Sequence, residues 1–500
     1  MTIAQEIPLA WAKDWLTKPK QQYINGQWVQ GENTDWQVKN PANGDTLCAI
    51  SMASETQVEK TAEIAKHHHN MGTWNKVSRT ERANLLRQIA RLIRENVEKL
   101  ALLETLPNGK LFSESMADDI PTCADIFDYY AGWTDKFYGE TSPVDEGFLN
   151  YTLKEPIGVC ALIAPWNFPL YQASLKIAPA LAMGNTVIIK PSEYTPLTTV
   201  FLMELIDEAL DIPAGVINML LTNGSSANQL TLSQNVDKVS FTGSTGVGRK
   251  IVQNSGQSNL KAATLELGGK SPCIFFDDTP DLDGAIDRAF NVMFSHKGEK
   301  CSEPTRFLIH DSIYDYVLDK LVEKANAVVC GNPLAEGVDQ GPQCNQVQFD
   351  KIIEYIEIGK TEARLVAGGY ADTEGENAKG YFIRPTIFAD VAPDARIAQE
   401  EIFGPVLSCI RFNTTEEAVA IANSTEYGLA AGLYTTNVSR AHKVAEQLDA
   451  GMLFINRYGC YGLAAPFGGF KQSGWGKEMA IHSLSSYTKT KGVWVYYGDA

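Results

Sequence analysis

No CxxC pair occurs anywhere in this 500-residue chain, although it holds nine cysteines. An odd, scattered set of thiols in a long chain fits a reducing compartment, so the cytoplasm is the expected location. Positive charge is also in short supply. Lys and Arg number 43 against 60 Asp and Glu, a net charge of −17. That balance argues against nucleic acid or an anionic membrane as partner, a local basic patch aside. Long hydrophobic runs are missing: the longest, 157–166, is far too short to cross a bilayer. The opening residues MTIAQE carry no basic stretch followed by an apolar run, so no secretory leader is expected. There is no internal repeat and no low-complexity stretch. What remains is an ordinary globular composition, 44% hydrophobic. Its length suits roughly two to four domains or one elaborate α/β assembly.

The local patterns give that assembly an order. Asn25-Gly26 separates two short strand-like runs, a strong hairpin signal. Helical periodicity marks 55–70 and 78–105, with Leu85, Ile89, Leu92 and Ile93 on one side. From 155 onward the rhythm becomes strand–helix–strand. Strands are expected at 158–164, 186–190, 215–220, 238–242 and 263–267, with helices at 168–183, 195–210, 225–233 and 244–254. This alternation predicts a parallel, doubly wound sheet. A second α/β rhythm spans 271–456, with strands near Ile274, Arg306, Leu365, Ile387, Leu407, Leu433 and Met452. The tail 483–497 reads as a strand without a helix partner, free to pair with another subunit. Two α/β units imply a cleft between them.

Several residues in this frame carry chemistry, and each has a plainer reading beside it. Cys301 follows the turn-like HKGEK and is a soft nucleophile or, as most free cysteines are, a small buried hydrophobe. Glu266 ends a strand and is a general base or a solvated terminal charge. Asn167, in PWNFP, is an oxyanion donor or a turn residue. Lys190, Ser192 and Glu193 grip a ribose or cap a helix. The segment 241–248, with Phe241, Gly243, Ser244 and Gly248, cradles a pyrophosphate or simply turns tightly. His296 invites a Cys–His pair, but sequence adjacency is not spatial adjacency. His67, His68 and His69 point about 100° apart on a helix and do not share one ion, so no metal is expected.

The order of the motifs is more telling than any one of them. PWNFP at 165–169, KPSE at 190–193, FTGST at 241–245, ELGGK at 266–270, Gly-x-x-Cys at 298–301, EEIFGPV at 400–406 and PFGGFKQSG at 466–474 follow one another. This set closely resembles the NAD(P)-dependent aldehyde dehydrogenase superfamily over nearly the whole chain. The resemblance implies two doubly wound Rossmann-like α/β domains plus a small β oligomerisation arm. Residues 1–134 with 156–268 would bind NAD, 269–475 would carry catalysis, and 135–155 with 476–500 would form the arm and tail. It implies Cys301 as nucleophile, Glu266 as base for deacylation, and Asn167 with the Cys301 backbone N–H as oxyanion hole. It places Trp166, Lys190, Ser192, Glu193, Gly224, Phe241, Gly243, Ser244, Gly248, Leu267, Glu401 and Phe403 around the cofactor. Lys176, Gly268 and Glu478 match positions near the proton path or site, and Tyr171, Leu175, Tyr461 and Phe467 the substrate tunnel. The implied reaction is oxidation of an aldehyde to the acid with NAD (NADP remaining possible), in a homodimer or homotetramer. Glu266 argues against the acyl-CoA-forming branch, which lacks a base there. A cofactor-free cysteine hydrolase and a non-catalytic binding protein are the rival readings.

The chain also departs from the family pattern. Glu299 stands where Gln is usual, and Lys300 adjoins the nucleophile. An acid pointing inward would raise the thiol pKa, and Lys300 would offset it. Asn223 and Asn228 replace frequent glycines. Leu175 replaces a Trp that cages quaternary ammonium in one branch, which weakens a cation–π reading. Arg457 meets either a substrate carboxylate or a salt-bridge partner.

Overall fold

A computed structural model describes residues 3–498. The hairpin forms as read: Gln22–Ile24 pairs antiparallel with Gln27–Val29, with Asn25 at φ 55° and Gly26 at φ 73°. Both are left-handed positions, which Asn and Gly tolerate best. Capping chemistry starts the first long helices. Ser54 accepts the Gln57 N–H at the head of Glu55–Met71, and Ser78 and Glu81 form a reciprocal capping box ahead of Arg79–Glu95. One helix over 78–105 is a reading that needs correction. Asn96, at φ −123°, breaks it, and a second helix runs Val97–Asn108. The Asn96 side chain donates to the Leu92 carbonyl at 2.9 Å, satisfying an acceptor the helix end leaves open.

The first sheet holds eight strands in the order Gln27–Val29, Gln22–Ile24, Ile217–Met219, Thr186–Lys190, Val159–Ile163, Lys238–Thr242, Ala262–Glu266, Gly474–Trp475. Five of these, from Ile217 to Glu266, run parallel. Helices cover both faces, which is why Val159–Ile163 and Thr186–Lys190 are almost entirely buried and read as continuous apolar runs. The chain steps outward from 159 through 186 to 217, then returns to the other side of the first strand at 238. That reversal, between Val159–Ile163 and Lys238–Thr242, opens the crevice in which doubly wound sheets hold ligands. The far edge is closed by Gly474–Trp475, antiparallel to the Glu266 strand, with Glu266 opposite Gly474.

The second sheet has seven strands ordered Arg364–Ala367, Thr386–Ala389, Val406–Phe412, Arg306–His310, Pro272–Phe275, Ala430–Tyr434, Met452–Ile455. Each expected strand after 271 is present, and only the Arg364 edge strand is antiparallel. One apolar core runs through both sheets, from Leu162 and Ile189 to Phe275 and Phe307.

The tail reading is corrected in part. Residues 483–486 belong to the helix Ala480–Ser486, and the strand is Thr488–Tyr496. It pairs along its whole length with Phe148–Pro156 of the same chain, and Thr141–Ser142 adds a third strand. Among the described residues no helix is long and apolar enough to cross a membrane.

Candidate active site

The turn before Cys301 is strained. After the helix Leu282–Phe294, three consecutive residues are left-handed: His296 (φ 51°), Lys297 (φ 62°) and Gly298 (φ 72°). Each non-glycine costs roughly 1–2 kcal/mol there, and such strain persists only where the surroundings over-determine it. Here they do. The Lys297 ammonium donates to the Asn108 carbonyl at 2.7 Å and to Asn108 Oδ1 at 3.0 Å, and pairs with Glu299 at 2.9 Å. Glu299 is fully buried and accepts the Cys344 N–H at 3.0 Å. Lys300 donates to Ser295 Oγ at 2.6 Å and lies 3.4 Å from Glu303. The two charges flanking the nucleophile are thus each engaged with other partners.

Cys301 itself is half-buried and unpaired. Burial first, then the carboxylates of Glu401 and Glu266, hold its thiol pKa well above the ordinary range. Asn167 follows the strand Val159–Ile163 and donates one side-chain N–H to the Glu299 carbonyl at 2.8 Å. A carboxamide has two such hydrogens, so a second remains. The Asn167 carbonyl accepts His296 Nε2 at 2.7 Å. The His296 ring lies against Phe168, centroids 4.4 Å apart and tilted by 33°, and burial drives its pKa well down. His296 is therefore a neutral donor to backbone, not the partner of a Cys–His pair.

Glu266 ends the strand Ala262–Glu266, is 2% exposed, and neither carboxylate oxygen has a hydrogen-bond partner. Burial, then Glu478, push its pKa well above the carboxylate range, while Lys176 and Lys477 pull the other way. A Cβ at Gly468 would lie 2.6 Å from its Oε1, so only glycine fits opposite. Below it, Lys176 from the helix Pro169–Ala182 makes a close ion pair with Glu478 and donates to Thr242 Oγ1 at 2.7 Å.

The crevice of the first sheet carries a second group of residues. Lys190 and Glu193 pair at 2.8 Å, and Ser192 Oγ accepts the Tyr194 N–H. Ser244 caps Thr245–Gln257 by accepting the Val247 N–H, which leaves other first-turn N–H groups facing outward. Gly224 opens the helix Gly224–Leu232, and Asn223, a departure from the family pattern, is its cap. Close packing explains two pairs: a Cβ at Gly243 would meet the Phe241 ring at 2.5 Å, and one at Gly248 would meet Leu267 at 2.7 Å. Glu401 accepts the Gly269 N–H, and Phe403, at φ 62°, stands edge-on to Trp166 at 5.4 Å. EEIFGPV and PWNFP, far apart in sequence, thereby meet.

An open cleft of 460 Å³ has a wall that includes Phe454, Arg457, Cys460, Tyr461, Phe467 and Met479. Tyr461 shares a hydrogen bond with Ser302 Oγ at 2.7 Å, and Tyr458 donates to the Ser302 carbonyl at 3.0 Å. The cleft wall is thus tied to the residue beside Cys301. Tyr171 and Leu175 are not part of that wall. Tyr171 packs toward Phe168 at 5.9 Å, and Leu175 is 1% exposed. Sequence reasoning misses Asn108 and Lys297 as site residues, because neither sits in a local pattern that announces its partner, whereas Gly468 lies within PFGGFKQSG.

Chain-wide comparisons show the family. The aldehyde dehydrogenase family model matches residues 28–493. The chain belongs to that family. It is 45% identical over 481 residues to an aldehyde dehydrogenase of Emericella nidulans, covering 96% of this chain and 95% of that protein. It is 42% identical over 490 residues to aldehyde dehydrogenase 1A1 of Homo sapiens, covering 96% of each. The NAD+ complex of a Bacillus cereus aldehyde dehydrogenase matches the fold with a TM-score of 0.94 at 40% identity, covering 97% of this chain and 98% of that one. The family fold is accordingly that of this chain, and its members are oxidoreductases.

Proposed function

We propose that the protein oxidises an aldehyde to its carboxylic acid with NAD+, through a Cys301 thiohemiacetal and a thioester hydrolysed by Glu266-activated water. The observation that carries this reading is the join of two groups of residues. Glu266 ends the strand from which the chain passes to Gly269, whose N–H is held by Glu401, and Asn167 is hydrogen-bonded to the Cys301 turn. Cys301 Sγ, its thiol proton passing to Glu266 and on to water, adds to the carbonyl carbon. The second N–H of Asn167 and the Cys301 N–H receive the oxyanion, a role worth about 3–4 kcal/mol per donor in comparable sites. NAD+, when bound, supplies the hydride acceptor. The acyl group left on Sγ is attacked by water, which gives its proton to Glu266 and releases the carboxylate. The raised proton affinity of Glu266 makes it a stronger base than an ordinary carboxylate.

The crevice fits the cofactor. Lys190, Ser192 and Glu193 face the adenosine ribose, and the Ser244 helix start with Gly224, Phe241, Gly243 and Gly248 frames the pyrophosphate. Trp166, Leu267, Glu401 and Phe403 surround the nicotinamide ribose. A carboxylate at Glu193 repels a 2′-phosphate, which favours NAD over NADP. Residues 1–134 and 156–268 form the cofactor domain, 269–475 the catalytic domain, and 135–155 with 476–500 the arm of a homodimer or homotetramer. Trp494 and Tyr496, 64% and 59% exposed on the arm, are its contact surface. NADH formation over aliphatic, aromatic, ω-amino and ω-carboxy aldehydes tests the assignment. No NADH with any of them, or full activity in Cys301→Ala, overturns it.

A further inference from the structure

We infer that Lys297, Glu299 and Asn108 form a positioning clamp that holds the Asn167 carboxamide against the Cys301 turn. This rests on the reading of Asn167 as oxyanion donor. The four residues close a ring. Asn167 Nδ2 donates to the Glu299 carbonyl at 2.8 Å, and the Glu299 carboxylate pairs with Lys297 at 2.9 Å. Lys297 donates to both oxygens of Asn108, at 2.7 and 3.0 Å. Asn108 Nδ2 returns to the Trp166 carbonyl at 2.8 Å and the Asn167 carbonyl at 3.3 Å. Every member is 5% exposed or less.

Three features make this a device for position rather than for bulk stability. First, a buried ion pair adds little net stability over a neutral pair of the same shape, so its charge calls for another account. Second, the two bonds that Lys297 donates to Asn108 are charge-assisted and directional and impose geometry, while Glu299 adds an ion pair whose Oε2 accepts no hydrogen bond. Third, the left-handed backbone at Lys297 folds its side chain back onto Asn108 while the Glu299 carbonyl points at Asn167. Glu299 is secured a second time by the Cys344 N–H. The acid at 299 thus acts through Lys297 and has no direct role at the thiol. An oxyanion donor displaced by about 1 Å loses on the order of 100-fold in rate.

The test is a double-mutant cycle on the full-length protein. Lys297→Gln and Glu299→Gln are each expected to slow single-turnover NADH formation about 10–100-fold, with the KM for NAD+ unchanged. Lys297→Gln/Glu299→Gln, whose two amides can pair without charge, is expected to recover most of that loss. Asn108→Ala keeps the ion pair and the Lys297 bond to the residue-108 backbone carbonyl, but removes the Oδ1 acceptor and the Nδ2 bonds to the Trp166 and Asn167 carbonyls, and is expected to slow the same step; it decides the matter if a single variant fails to fold. Parent rates in the single variants and in Asn108→Ala, or a double variant no faster than the slower single, overturn the clamp. Asn167→Ala separates this from the functional reading. If it is slow while the clamp variants are fast, only the clamp falls; if it too is fast, the oxyanion role falls.

Discussion

Glu401 accepts the backbone N–H of Gly269 at 2.8 Å, and its other oxygen occupies the space where a Cβ at Gly268 would stand, 2.5 Å away. Gly268→Ala would therefore push the Glu401 carboxylate off the nicotinamide ribose while leaving Cys301 in place. The expected result is a KM for NAD+ raised roughly tenfold or more, through loss of a charge-assisted bond. Titration with NAD+ at saturating aldehyde checks it. An unchanged KM would mean that Glu401 does not touch the cofactor.

Glu266→Gln should trap the acyl-enzyme. One NADH per active site is expected in a burst, followed by turnover slowed about 100-fold or more. The same variant carries a stability signature. The folded Glu266 carboxyl binds its proton more tightly than the unfolded one. The parent therefore loses folding stability as pH rises above the ordinary carboxylate range and through the raised value. Glu266→Gln does not, so its melting temperature should gain on the parent's between pH 5 and pH 8. Parallel melting curves at the two pH values would contradict the buried-acid account.

Lys176 and Glu478 form a buried pair beside the base. Lys176→Met leaves Glu478 uncompensated, a loss of about 3–5 kcal/mol. It also removes a charge that lowers the Glu266 pKa. Urea unfolding should show the destabilisation, and the pH profile of thioester hydrolysis should move to higher pH. A shift to lower pH would exclude Lys176 from the proton path.

Cofactor choice should turn on Glu193. Its carboxylate is held by Lys190 at 2.8 Å. Glu193→Gln removes the charge that repels a 2′-phosphate and frees Lys190 to attract one. The ratio of kcat/KM for NADP over NAD should rise roughly tenfold. Measurement with both cofactors decides it, and an unchanged ratio places the ribose elsewhere.

Much of this frame is legible in the sequence, for physical reasons. Strand 186–190 is buried on both faces, so its β-branched run Thr-Val-Ile-Ile marks it to the residue. The split at Asn96 leaves no mark in the sequence, because apolar spacing continues across it while the helical backbone does not. The strand expected from 483 overlaps the end of the helix Ala480–Ser486, because seven residues are too few to show a helical period. At the site, Cys301, Glu266 and Asn167 stand in motifs whose chemistry is local. Asn108 and Lys297 do not: their bond spans 189 residues, and nothing in either neighbourhood names the other. Sequence offers Glu299 as a charge acting on the thiol, whereas the fold buries it against Lys297 and the Cys344 N–H.

The edge strand Gly474–Trp475 has a consequence for how the protein is made. Ser473 Oγ donates to the Gly268 carbonyl at 2.7 Å, a buried bond across 205 residues of chain. Translation at about 5–20 residues per second puts roughly 10–40 s between the emergence of these two partners. During that interval the strand that ends in Glu266 has an open edge, and the glycine that walls in the carboxylate does not yet exist. The nascent chain carries both the thiol and the acid well before it can bring them to bear. Assembly of the base is a late event on the ribosome, set by the distance between two short segments.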